Sequence, residues 1–270
     1  MTNAIPLPLR QLYRTVMRRS APAPVGGLAY LEADNQWYRP LLAGVSSIPP
    51  HVCGAAAVRR SLDVLDRLEC DAYHTYVMNF YRAGLARVGE AWAYADLYTT
   101  LSGLARLLQP ASYLEIGVRR GHSMAMVASQ APGCEIFGFD LWIDNYAGLP
   151  NPGKDFVRQQ LARVGYAGSA HFVDGDSAET VPAFLRTRPD LFFDLVTVDG
   201  DHSLRGARRD LRHVLSRLKI GGMVVFDDLV NAAHPDLRQV WDETVTSNPR
   251  FSTWTFDEAG YGVAVGIRIG

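Results

Sequence analysis

Two stretches of the chain gather carboxylates where they could do chemistry. One reads Asp194-Leu195-Val196-Thr197-Val198-Asp199-Gly200-Asp201-His202-Ser203, and the other Gly221-Gly222-Met223-Val224-Val225-Phe226-Asp227-Asp228. Each is a short apolar run with strand character that ends on acids. If the two runs are neighbouring strands about 4.8 Å apart, Asp199, Asp227 and Asp228 converge on one point. Carboxylates so crowded repel one another, and some must take up protons unless a cation neutralises them. An all-oxygen ligand set favours Mg²⁺, with Mn²⁺ or Ca²⁺ as alternatives, whereas zinc would prefer His or Cys. A hydroxyl group held beside such a cation becomes more acidic, and a positioned base completes the arrangement. His202 is the first choice of base, because an ordinary imidazole pKa of about 6.5 leaves it largely neutral at pH 7. Asp201 is the second. The competing reading is that Asp228 and Asp201 each cap a following helix.

A second constellation lies upstream. The run that ends Leu114-Glu115-Ile116-Gly117-Val118-Arg119-Arg120-Gly121-His122-Ser123 carries two glycines that let the backbone turn sharply before a helix with free N–H groups. It has neither GxGxxG spacing nor the Gly-Lys-Ser/Thr that grips phosphates. The next apolar run ends in Asp140, where a carboxylate can accept from both hydroxyls of a ribose. The third runs into Gly175-Asp176-Ser177, an acid placed to accept from an exocyclic amine such as that of adenine. Three successive strand ends of this kind describe an adenosine site without phosphate machinery. Turn or helix capping is the alternative for Asp140 and Asp176.

The series E-I-G-V-R-R-G, F-G-F-D and G-D-S resembles class I S-adenosylmethionine-dependent methyltransferases over roughly residues 96–270. That resemblance implies that Glu115, Gly117 and Gly121, with Val118 and Ser123 of the same loop, flank the methionine part of the cofactor. It further implies that Asp140 binds the ribose and that Asp176 and Ser177 meet the adenine. The acidic clusters are similar to those of metal-dependent O-methyltransferases, most of all macrocin-type sugar O-methyltransferases, which carry D-G-D after strand four and D-D after strand five. Asp199, Asp227 and Asp228 are then the metal ligands, and a deoxysugar of a natural-product glycoside or a nucleotide-sugar is the expected acceptor. Two departures stand out. His202 replaces the Lys of the catechol-type enzymes, and the stretch Asp140–Pro150 carries extra residues relative to the family's D-S-F-x-G-L-P. Methylation of a catechol-like phenol, or a silent cofactor-binding subunit, remains an alternative.

These residues require a scaffold that sets strand ends side by side. Apolar runs at Tyr113–Val118, Glu135–Phe139, His171–Val173, Leu191–Val198 and Met223–Phe226 alternate with helical stretches at Ser123–Gln130, Asp155–Val164, Ala178–Arg186 and Leu204–Leu218. Alternation of this kind implies an α/β fold, a doubly wound and mostly parallel sheet. Phe251–Phe256 and Tyr261–Ile269, joined by a tight turn, predict an antiparallel C-terminal hairpin at one edge. Upstream, 56–84 and 91–109 read as helices. The expected division is an N-terminal arm and helical cap over 1–95 and a cofactor-binding domain over 96–270. Arg10, Arg14 and Arg18 recur at helical spacing within that arm, which is expected to lie on the body or on a second subunit of a homo-oligomer.

Composition narrows the class. The 270 residues are 48% apolar and 20% charged with a formal net charge of −1, an ordinary globular balance without the basic excess of a nucleic-acid binder. No apolar run is long enough to span a membrane. Three scattered cysteines fit neither a disulfide framework nor a structural zinc site, so a reducing, cytoplasmic setting is expected. Trp142, Asn145 and Tyr146 could wall an acceptor, and Arg205, Arg208, Arg209 and Arg212 share one helical face.

Overall fold

The computed structural model describes residues 43–145 and 148–270. The expected arginine-bearing arm and Tyr146 lie outside the described residues. Seven strands form one sheet: β1 (Ser112–Ile116), β2 (Glu135–Asp140), β3 (Ala170–Asp174), β4 (Phe193–Val198), β5 (Leu218–Asp227), β6 (Phe251–Phe256) and β7 (Val263–Arg268). Their order is β3-β2-β1-β4-β5-β7-β6. The first five are parallel, and β7 runs antiparallel between β5 and β6. The chain winds outward from β1 on one side and resumes at β4 on the other. The carboxyl ends of β1 and β4 therefore flank the switch point, where sheets of this type bind ligands.

Alternation along the buried strands feeds two apolar layers. Tyr113, Leu195, Met223 and Val225 face a core shared with α3 (Leu97–Leu108), α4 (His122–Gln130) and α5 (Lys154–Arg163). Leu114, Ile116, Val196, Val198 and Phe226 face the opposite core, filled by α6 (Ser177–Thr187), α7 (Leu204–Leu215) and α8 (Leu237–Trp241). Upstream, α1 (Ala55–Leu65) and α2 (Ala72–Val88) contribute Val58, Leu65 and Tyr81 to the first of these cores. At the amino-terminal end of the strands, buried Asp194 accepts from the N–H groups of Ala111 and Ser112 at 2.8 and 3.1 Å and pairs with Lys219 at 3.0 Å. It thereby fixes β4 against the starts of β1 and β5.

The structure divides the expected helix 56–84 into α1 and α2. Asp71 caps α2 by accepting from the His74 N–H at 2.9 Å. The expected helix 91–109 begins only at Leu97, because Asp96 and Thr99 form a reciprocal capping box there. β5 starts five residues before Met223, running through Gly221 and Gly222 beside a register shift opposite Phe193 and Leu195. Helix α8, which continues into a π-helical turn at Asp242–Thr246, lies outside the helical stretches expected from the sequence. The three cysteines are free. Among the described residues no helix is long and apolar enough to cross a membrane.

Candidate active site

The loop after β1 is set by its neighbours. Gly117 has φ +90°, and a β-carbon there would sit 1.9 Å from the Asp199 carbonyl oxygen. Gly121, at φ +71°, would put one 2.5 Å from a Val157 methyl of α5. At both positions the space that a β-carbon would fill is taken by protein. Asp140 then closes the loop onto β2. One carboxylate oxygen accepts from the N–H groups of Val118 and Arg119, both at 2.7 Å, and the other from the N–H of Trp142. Glu115 lies beneath, with no exposed surface, accepting from the hydroxyls of Ser123 and of Tyr113, the latter at 2.6 Å. Burial pushes its pKa up to about 8, against the pull of those two hydrogen bonds. It buttresses the loop from behind.

Beyond β3, exposed Asp176 caps α6 by accepting from the Ala178 N–H at 2.8 Å and lies 3.6 Å from Arg209. The hydroxyl of Ser177 donates to Asp210 at 2.8 Å. Trp142 is held in a left-handed conformation, its indole N–H donating to Asp174 at 2.9 Å and its ring meeting Phe172 edge-on. Of the arginines on α7, Arg208 pairs with Glu243 and Arg209 lies near Asp176 and Asp201.

The acids converge across the switch point. Val198 of β4 pairs with Phe226 of β5, which sets Asp199 beside Asp227 and Asp228. Nε2 of His202 lies 3.3 Å from Asp199 Oδ1 and 3.2 Å from Asp228 Oδ2. Burial alone would lower the imidazole pKa, but hydrogen bonds to the two carboxylates and their charges raise it to about 11. The neutral base expected from the sequence is therefore an imidazolium here, shared between two acids. Asp199 and Asp227 are both pushed up, first by removal from water and then by the like charge of their neighbours. Asp201 turns elsewhere: it accepts from the Ser203 N–H at 2.9 Å, lies 3.8 Å from Arg209 and rests against Gly206.

Sequence reasoning missed three contributors. His234, six residues beyond Asp228, stacks on His202 with ring centroids 4.6 Å apart. Among the described residues, His202, Asp228 and His234 form the group whose metal-binding atoms all lie within 4.8 Å of one another; Asp199 and Asp227 stand outside it. Tyr73 of α2 is half-buried with the Arg119 guanidinium 5.8 Å above its ring, and burial and the charges of Asp227, Asp96, Asp199 and Asp228 push its phenol far up. Asp71, at the start of α2, is 3.0 Å from Arg119. The acid pair of a D-D-x5-H spacing was readable; the contacts from residues 71 and 73 arise only from the tertiary fold.

Residues 114–229, from β1 to the loop after β5, match a family model described as a methyltransferase domain. A comparison with curated proteins returns no match. Solved structures share the fold. The O-methyltransferase TomG from Streptomyces achromogenes, involved in tomaymycin synthesis and solved in complex with SAM, is 21% identical, covering 75% of this chain and 92% of its own, with a TM-score of 0.52. CalS11, a TDP-rhamnose 3'-O-methyltransferase of calicheamicin biosynthesis, is 19% identical, covering 80% of this chain and 94% of its own at 0.51. An O-methyltransferase from Bacillus cereus in complex with SAH is 16% identical, covering 79% and 97% at 0.53. The chain is thus similar to a methyltransferase domain over residues 114–229 and shares its fold with these solved O-methyltransferases.

Proposed function

We propose that the protein transfers a methyl group from S-adenosylmethionine to a hydroxyl oxygen of a small-molecule acceptor, a deoxysugar of a glycoside or nucleotide-sugar, with the help of a divalent cation. The observation that carries the reading is the convergence of Asp199 and Asp228 on one nitrogen of His202 at the switch point. His202, Asp228 and His234 hold ligand atoms within 4.8 Å of one another, and Asp199 reaches the same His202 nitrogen at 3.3 Å.

The residues fit the donor. A dinucleotide needs loop N–H groups for its pyrophosphate, but those of Val118 and Arg119 are already bonded to Asp140. A nucleoside without phosphates makes no such demand. Its sulfonium and ammonium charges suit a site bordered by Asp140, Asp199, Asp227 and Asp228. Asp140, partly exposed at the end of β2, would face the ribose, and the 117–123 loop the methionine part. The acids also fit a cation, since burial and then the like charge of their neighbours push the carboxyls of Asp199 and Asp227 up, and a cation would relieve both. Asp199, Asp227 and Asp228 would hold it; the imidazole of His234 adds a nitrogen donor, which brings Mn²⁺ alongside Mg²⁺. A bound cation would lower the pKa of the acceptor hydroxyl.

The chain's own part is aim and proton handling. Methyl transfer is an in-line displacement, so the acceptor oxygen must be held opposite the sulfur. The oxygen–methyl bond forms as the sulfur–methyl bond breaks, and Nε2 of His202 takes the hydroxyl proton. A cation held by Asp199 and Asp228 would loosen their grip on the proton that His202 carries and suit it to that role.

The test is incubation with labelled donor, Mg²⁺ or Mn²⁺, and a panel of sugar and phenol acceptors, with and without chelator. Labelled sugar that disappears on chelation is expected. Turnover indifferent to chelator removes the cation, and label appearing only in phenols replaces the acceptor.

A further inference from the structure

The short connection between α1 and α2 touches the cofactor loop through one buried carboxylate. Asp71 and His74 are 7% and 3% exposed. Asp71 Oδ1 lies 2.6 Å from His74 Nδ1, while Oδ2 is 3.0 Å from Arg119 Nη2 and 3.8 Å from Arg120 Nε. Burial by itself would raise the Asp71 pKa, but the hydrogen bonds from His74 and the Arg119 charge hold it well below the usual carboxylate range. The neighbouring contacts run the same way. Arg120 donates to the Glu69 carbonyl at 3.1 Å and stacks over Phe156 at 4.4 Å. The Glu69 N–H donates to Gln160 of α5 at 2.8 Å, and the His122 ring lies 3.6 Å above that of His74.

Arg119 is the junction. Its backbone is left-handed, with φ +50°, a conformation that costs a residue bearing a β-carbon. Its N–H, with that of Val118, is bonded to Asp140. An ion pair that holds the guanidinium offsets the cost of that conformation and keeps both N–H groups aimed at Asp140.

We propose that Asp71 is a positioning residue for the methyl donor, acting through Arg119 to hold the 117–123 loop and Asp140 in the donor-binding geometry. The helices upstream of the sheet thereby help to set donor affinity. The donor part rests on the function proposed above; the latch itself does not.

Asp71→Asn separates the two roles of this residue, because Asn caps a helix as well as Asp does but cannot neutralise a guanidinium. Hydrogen exchange of the ligand-free protein should show the amides of 117–123 opening about tenfold faster in the variant, and calorimetry should show S-adenosylhomocysteine binding about tenfold more weakly. Arg119→Gly removes both the guanidinium and the backbone cost. In that background Asp71→Asn should have almost no further effect on either readout. Equal effects in both backgrounds would mean that Asp71 acts on the loop by a route other than Arg119 and would overturn the latch, as would unchanged exchange in Asp71→Asn alone. Failure of the wild-type protein to bind S-adenosylhomocysteine would instead count against the donor, with the exchange cycle still deciding the latch.

Discussion

His202 holds its proton because two carboxylates hold it there. Replacing it with Gln keeps a polar group of similar reach but removes the proton acceptor, and kcat should fall about 10²–10⁴-fold, the usual worth of a general base. Steady-state kinetics with saturating donor and metal would check this, and an unchanged kcat would dismiss His202 from the chemistry. Glu115 tests the site at a different point. Its pKa rises from 4.5 to about 8 on folding, mainly through burial. Between those values the unfolded chain loses a proton that the folded protein keeps, so stability falls as pH rises from about 4.5 to 8. Glu115→Gln removes that loss, and its melting temperature relative to wild type should climb between pH 5.5 and pH 8. The gain is on the order of a few kcal/mol at most; a flat difference across that range would mean that the carboxylate ionises freely. Asp199, His202, Asp227 and Asp228 were legible because each follows the end of an apolar run, and adjacent runs become adjacent strands. Tyr73 was not, since nothing in residues 71–74 states that α2 will lie over an acid cluster more than a hundred positions away.

Among the elements, periodicity located the strands and most helices, while side-chain caps decided where helices start. Leu68 is buried and keeps the apolar rhythm between α1 and α2, which is why 56–84 read as one helix; Asp71 interrupts it. Asp96 acts in the same way at α3 and does more. It caps Thr99 and also accepts from the phenols of Tyr81 and Tyr94, at 2.5 and 3.2 Å. Asp96→Ala loses a cap worth about 1 kcal/mol and leaves two largely buried hydroxyls without their acceptor, each costing about 1 kcal/mol or more. A total near 3 kcal/mol is expected from denaturant unfolding, and a loss below about 1 kcal/mol would mean that the tyrosines find other partners. The front half of β5 escaped notice for a related reason. Its paired glycines read as a break, whereas Gly222 is needed because a β-carbon would press to within 3.0 Å of the Asp194 carbonyl oxygen.

At the scale of the whole molecule, the switch point joins parts that meet only in the folded chain: the loop after β1, the acids after β4 and β5, and the α1–α2 connection. A ligand that needs all of them binds the native protein and not the unfolded chain, so it must raise thermal stability by mass action. At a hundred times its dissociation constant, S-adenosylhomocysteine should add about 2.7 kcal/mol. For a chain of this size that corresponds to a rise in Tm of roughly 5–10 °C. NAD at the same concentration should leave Tm unmoved, because Asp140 already holds the N–H groups of Val118 and Arg119 that a pyrophosphate would need. Scanning calorimetry with each ligand makes the comparison. A shift with NAD and none with S-adenosylhomocysteine would hand the switch point to a dinucleotide, and with it the assignment of every acid around it.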